Sequence, residues 1–160
     1  MKCMGCGKAN YVQKQITDEV DLDGGPQVKI KGVNALVCPQ CGDILMDAAT
    51  SARRTQSVLA ALIQEYSPSL QIPGKVAKWI RKSIDLSATQ WAEQAGGIDP
   101  SAFSQAAQRN STIDRYAAFV LLARASDFLS GTHRAGELIQ ATHELEKYLN
   151  PELLKHVEVA

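Results

Sequence analysis

Hydrophobic and polar positions change their spacing along the chain. Over 11–16 and 28–38, β-branched and apolar residues alternate with polar ones, and a period of two predicts strands. The run Asp23-Gly24-Gly25-Pro26 between them predicts a turn, and Ile44-Leu45-Met46 predicts a short last strand. We therefore expect a small antiparallel sheet at the start of the chain.

After residue 46 the spacing becomes helical. Asp47 is placed to cap a helix, and apolar residues recur every three to four positions over 58–66, the spacing of one helix face. The run from Ser67 to Gly74, rich in Ser, Pro and Gly, ends that helix. The predicted domains begin with a sheet module and its trailing helix over 1–66, followed by a linker over 67–74.

Four short helices are predicted next. The first spans 75–84. The second begins at a capping box, Ser87-x-x-Gln90, and ends at Gly96-Gly97. The third begins at Asp99-Pro100, a cap followed by a proline suited to the first helical position, and runs to about residue 108. The fourth begins near Ser111. Two short helices joined by a glycine turn are typical of a helix-turn-helix, and a plain helical bundle is the alternative.

The C-terminal extension, 132–160, is predicted to form one more amphipathic helix over 134–149. Its apolar positions share one face, and they are Leu138, Ala141, Leu145, Tyr148 and Leu149. Packing on its own domain and a dimer contact both stay open for this face. The predicted fold class is α+β, a small zinc-bound antiparallel β module followed by an all-α helix-turn-helix domain over 75–131.

Composition and charge narrow the function. The chain is 45% hydrophobic and 21% charged, as in folded proteins, and no apolar run is long enough to span a membrane. The start, Met1 to Cys6, lacks the apolar stretch of a secretory signal, so we expect a cytoplasmic protein. A net charge of zero disfavours a general polyanion-binding surface, although 71–131 holds seven basic and five acidic residues.

All four cysteines lie in the first 41 residues, as Cys3-x-x-Cys6 and Cys38-x-x-Cys41, and a glycine follows each pair. The two-residue gap lets two thiolates reach one ion, and two pairs supply the four soft ligands of one tetrahedral structural zinc per chain. Iron stays an alternative, whereas a disulfide or a redox pair is disfavoured. The three histidines, at position 133 and beyond, show no ligand spacing. No catalytic group of residues is apparent, so we expect no enzyme activity.

Together these motifs resemble the MqsA/YgiT-type antitoxin family over roughly residues 1–130. The matching residues are Cys3-x-x-Cys6, Gly32-x5-Cys38-x-x-Cys41, Leu86-Ser87-x-x-Gln90, Gly96-Gly97 and Ala102-Phe103-Ser104. The resemblance implies a structural zinc module that binds and neutralises a partner toxin, usually a ribonuclease. It also implies an Xre-type helix-turn-helix that forms a homodimer, binds double-stranded DNA at its own promoter and represses the shared operon.

A helix-turn-helix places the N-terminal half of its second helix at base edges in the major groove. Gln105 is then the candidate for base contact, Ser101 shares its face, and Arg109 is a candidate for a phosphate. Further phosphate candidates stand on the two preceding helices, and they are Lys78, Arg81, Lys82, Ser87 and Gln90. We expect Trp91 and Phe103 in the core.

This chain departs from the family at the DNA-reading positions. The family places Asn before Ala-Phe-Ser and Arg-Tyr-Glu after it, whereas this chain has Ser101 and Gln105-Ala106-Ala107. Glutamine suits adenine where arginine suits guanine, so either the operator differs or specific binding is lost. A stand-alone transcriptional regulator without a toxin and a protein-binding adaptor with a degenerate helix-turn-helix therefore remain alternatives.

Overall fold

A computed structural model of the chain describes residues 1–131. It has the predicted α+β fold, with a three-stranded antiparallel sheet followed by five helices in this part of the chain. The chain divides into two compact units, of which the first is Met1–Glu65 and the second begins at Tyr66. The helix predicted over 134–149 and the extension 132–160 lie outside the described residues.

The sheet of the first unit contains β1 (Val12–Asp21), β2 (Gln27–Val37) and β3 (Ile44–Leu45), in the order β1-β2-β3. β1 runs five residues beyond its predicted end, because the acidic stretch 18–21 pairs with 27–30 of β2. The register shifts at a β-bulge after Ile16. Pairing with a neighbouring strand thus overrides the weak strand propensity of the acidic residues.

The first helix, α1 (Ala48–Tyr66), begins at the predicted cap, where the Thr50 N–H donates to Asp47 Oδ1 at 2.6 Å. An ion pair and hydrogen bond between Arg54 of α1 and Asp18 of β1 ties this helix to the sheet. The first unit is therefore a sheet with a trailing helix.

The second unit holds α2 (Gly74–Ser83), α3 (Ala88–Gln94), α4 (Pro100–Gln108) and α5 (Arg115–Ser130). The predicted capping box of α3 is present, because Ser87 Oγ accepts from the Gln90 N–H at 3.1 Å and Gln90 Oε1 accepts from the Ser87 N–H at 3.0 Å. Asp99 accepts from the Ser101 N–H at 2.8 Å at the start of α4. Local sequence signals therefore position both short helices.

The last helix begins later than predicted. Ser111 accepts a hydrogen bond from Gly74 at 2.9 Å, and Ile113 donates one to Ile72 at 3.0 Å, so 111–113 is extended. Asp114 caps α5 instead, because its side chain accepts from the N–H groups of the second and third residues after it. Ile72 is completely buried, so the end of the predicted linker is packed within the second unit.

The aromatic core of the second unit lies between α3 and α4. The rings of Trp91 and Phe103 stack with centroids 3.6 Å apart and planes 11° from parallel. Trp91 Nε1–H donates to the Ala117 carbonyl of α5 at 3.0 Å, and the side chain is completely buried. The prediction that both aromatic residues belong to the core is confirmed, and α4 is anchored on its inner side.

Gly74 brings α2 into close contact with α4. A Cβ atom at this position would lie 2.4 Å from the Ala106 carbonyl carbon and 2.4 Å from the Ala107 nitrogen. Because a helix backbone cannot yield like a flexible side chain, Gly74→Ala is expected to lower the free energy of unfolding of the second unit by about 3 kcal/mol. Urea unfolding followed by fluorescence measures this, since the two tryptophans, Trp79 and Trp91, both lie in this unit.

Gly97→Ala is the matched control in the same unit. Its Cβ would meet nothing within 4 Å, but its φ of +78° strains any L-residue, at a cost of about 1–2 kcal/mol. A loss at Gly74 no larger than the loss at Gly97 would contradict the close packing of α2 on α4.

Candidate metal centre and nucleic-acid interface

The four cysteines converge at one end of the sheet. Their Sγ atoms all lie within 4.8 Å of one another, with Cys3 to Cys41 at 3.6 Å and Cys6 to Cys38 at 3.7 Å. These distances exceed a disulfide bond of about 2 Å and match the edge of about 3.8 Å of a tetrahedron with zinc–sulfur bonds of about 2.3 Å. The cluster can therefore hold one metal ion, and its geometry suits zinc.

Both cysteine pairs adopt the same turn. The Gly7 N–H donates to the Cys3 carbonyl at 2.9 Å, and the Gly42 N–H donates to the Cys38 carbonyl at 3.0 Å. The two glycines have φ values of +64° and +74°, a conformation that glycine adopts without strain. The glycine after each pair thus closes the turn that points two sulfurs at a common centre.

Burial within the cluster is uneven. Cys3 and Cys38 are each 2% exposed, whereas Cys41 is exposed. The backbone N–H of Asp43 lowers the pKa of the Cys41 thiol, but the neighbouring thiol of Cys38, burial and the remaining thiols outweigh it and raise the pKa to about 12. The thiols must lose protons to bind a metal, so a cation is what would stabilise four thiolates this close together.

Tyr11 and Asp43 adjoin the cluster, and neither was predicted from the sequence to be part of the site. The Tyr11 hydroxyl donates to Asp43 Oδ2 at 2.5 Å and accepts from the Met4 N–H at 3.2 Å, while the Cys3 thiol lies 3.6 Å from the same carboxylate oxygen. The hydrogen bond to Asp43, followed by burial, raises the pKa of Tyr11, so the phenol stays a donor. The only sequence signal was the position of Asp43, two residues after the last cysteine.

Tyr11→Phe is expected to lower the affinity of the cluster for zinc by about 10- to 100-fold. The ring stays in place, but the Asp43 carboxylate loses its phenol donor beside the charged thiolates. Competition with a chromophoric chelator measures the affinity. Tyr116→Phe, in the second unit, is the control and should leave it unchanged. Equal affinities for all three proteins would exclude a role for the phenol.

The predicted base-reading helix corresponds to α4. Phe103, Ala106 and Ala107 are buried, and the outward side of the helix is formed by exposed residues, which are Ser101, Ala102, Ser104, Gln105 and Gln108. Ser101 and Gln105 lie on this outward side. Arg109 is the exposed C-cap residue just beyond the helix.

Ser104 and Gln108 also lie on this outward side and were not predicted from the sequence. Gln108 lies seven residues after Ser101, a spacing that returns to the same helix face. The helical period, together with the prediction that Phe103 is buried, would have placed Gln108 on the exposed side.

The two phosphate candidates at the start of α3, Ser87 and Gln90, form the capping box of that helix. It uses the acceptor oxygens of Ser87 and Gln90. A serine hydroxyl and a glutamine amide also carry hydrogens to donate. Both residues are exposed, so the cap leaves them suited to donate to a phosphate.

The cationic candidates of α2 differ in their surroundings. Lys78 and Lys82 are exposed, whereas Arg81 Nη1 donates to the Leu86 carbonyl at 2.5 Å and so braces the turn between α2 and α3. Lys78 and Arg81 line a small cleft together with Ala88, the first residue of α3, and Ser104 of α4. Two candidates of α2 therefore lie beside the start of α3 and Ser104 of α4, while Gln105 and Arg109 line a separate cleft.

None of the helices between residues 1 and 131 is both long and apolar enough to cross a membrane.

Comparison with known proteins finds one family. A family model described as the antitoxin component of a bacterial toxin-antitoxin system, MqsA, matches residues 1–131. The matched range includes the four cysteines and all five helices described above. A search of curated proteins found no match for the chain.

Proposed function

The chain belongs to the MqsA family of bacterial antitoxins, and we propose from this that it neutralises a partner toxin and represses its own operon by binding DNA. The family assignment agrees with the resemblance found in the sequence. The chain acts in this proposal as a binding protein and not as an enzyme, and its toxin is a ribonuclease. It works in the cytoplasm as a homodimer.

The work is divided between the two parts of the chain. Residues 1–66 form the zinc module that binds the toxin, 67–74 connects it, and 75–131 is the helix-turn-helix domain that binds DNA. One structural zinc ion is held by Cys3, Cys6, Cys38 and Cys41. Four protein ligands close the coordination shell, so the ion crosslinks the two cysteine turns. It offers no open position to a substrate.

The observation that carries the DNA-binding proposal is the two-sided character of α4. Its inner side is anchored through the stack of Phe103 on Trp91, so the helix has a defined orientation. Its outer side is exposed and polar, as a helix that reads base edges requires. Lys78 and the capped start of α3 adjoin α4 at the cleft near Ser104, where they can hold the DNA backbone.

Binding to the promoter tests this proposal. The zinc-loaded chain should retain the DNA upstream of its own gene in preference to scrambled DNA, measured by gel shift at two salt concentrations. Lys78→Ala should weaken binding to both DNAs alike and reduce the salt slope by about 2 per dimer, because each protomer loses one phosphate contact. Lys14→Ala, an exposed site of β1, removes the same charge from the first unit and should change neither quantity.

No retention of either DNA at either salt concentration would contradict repression. It would favour a protein-binding adaptor. An equal effect of Lys14→Ala would exclude the assignment of Lys78 to the DNA surface.

Toxin neutralisation is tested in cells. A small gene beside this one should inhibit growth when expressed alone, and co-expression of the full chain should restore growth. Cys38→Ser removes a metal ligand and should abolish rescue, whereas Gln105→Ala, at an exposed site of α4, should rescue as well as the parent. Western blotting confirms equal protein levels.

Rescue by Cys38→Ser together with loss of rescue by Gln105→Ala would contradict the assignment of toxin binding to the first unit. Absence of any neighbouring gene whose product inhibits growth would instead favour a stand-alone regulator.

A further inference from the structure

The outward side of α4 contains no charged residue. Between Pro100 and Gln108 every side chain is neutral, and the exposed ones are two hydroxyls, one methyl and two carboxamides. The nearest cation along the chain, Arg109, stands at the C-cap. It stands just beyond the helix, where it remains a candidate for a phosphate contact. The exposed side of this helix therefore has no Arg or Lys, the residues that pair with guanine in a bidentate way.

Gln105 and Gln108 stand next to each other on that side. Residues three apart on a helix are neighbours on its surface. Their separation along the axis is about 4.5 Å, close to the spacing of about 3.4 Å between base pairs. Among the described residues, Gln90 commits its carboxamide oxygen to a cap, whereas the carboxamides of Gln105 and Gln108 take part in no such bond.

The chemistry of these groups selects one type of base pair. Glutamine donates to and accepts from adenine in a bidentate pair, and alanine contacts the thymine methyl, whereas bidentate contact with guanine requires Arg or Lys. Ala102 is exposed and lies about one turn before Gln105 and nearly two turns before Gln108. Serine accepts either kind of pair. Each exposed side chain on this side of α4 thus either favours an A·T pair or does not distinguish A·T from G·C.

We propose that Gln105 and Gln108 read two adjacent A·T pairs in each half-site, with Ala102 against a thymine methyl, and that α4 makes no guanine contact. This inference rests on the proposed DNA binding and specifies its target. Contacts of Lys78 and its neighbours with DNA phosphates then supply affinity that does not depend on sequence. Sequence selection comes from the neutral side of α4.

The test is selection from a randomised DNA library with the full zinc-loaded chain, followed by affinity measurements on the selected site. The selected half-site should contain two adjacent A·T pairs, and changing either to G·C should lower affinity by about 5- to 150-fold. Gln105→Ala should erase the preference at one pair and Gln108→Ala at the other. Gln105→Arg should change the base pair selected at that position from A·T to G·C.

Gln13→Ala is the matched control, because it removes the same side chain from an exposed site of β1, and it should select the parent sequence. Thermal unfolding of every variant should match the parent, since the changed side chains are exposed. Selection of G·C pairs by the parent, or unchanged selection by both glutamine variants, would overturn this inference while leaving DNA binding intact. Failure of the parent to select any sequence would overturn both.

Discussion

The indole of Trp91 joins three helices of the second unit. Its ring stacks on Phe103 of α4, its N–H donates to a carbonyl of α5, and its own backbone lies in α3. A buried indole without a hydrogen-bond acceptor would be destabilising, so the Ala117 carbonyl fixes the depth of α3 against α5. The orientation of α4 then follows from the stack, and Gly74 lets α2 pack directly on the backbone of α4.

The first unit is organised on a different principle. At the cysteine end, the buried cluster consists of Cys3, Tyr11 and Cys38, with a few partly buried apolar residues around it. So small an apolar cluster contributes little stability by itself. Four metal–sulfur bonds would supply what burial does not, and the hydrogen-bonded pair of Tyr11 and Asp43 would lie just outside such a coordination shell.

The two units therefore solve the problem of small size in different ways. A crosslinking ion at the four cysteines would stabilise the sheet, and an aromatic stack with tight helix packing stabilises the helices. For the helices the consequence is a rigid inner side that leaves the outer side of α4 free to vary. In the proposed DNA-binding role of α4, a change in base preference would need only substitutions at exposed positions such as Gln105, which are not part of the core.

The sequence alone determined the features whose causes are local. The two Cys-x-x-Cys-Gly turns, the capping box at Ser87, and the Asp99-Pro100 start of α4 each depend on residues a few positions apart, so spacing was enough to predict them. The fold class and the family followed from these motifs, as did the convergence of four cysteines that can hold a metal ion. Partners distant in sequence decided the rest. The late start of α5 depends on pairing with Ile72–Gly74, and the added length of β1 depends on β2. The hydrogen bond between Tyr11 and Asp43 beside the cysteine cluster joins residues 32 positions apart. A linear pattern shows which residues can form such contacts, but only the folded chain determines which of them are brought within reach.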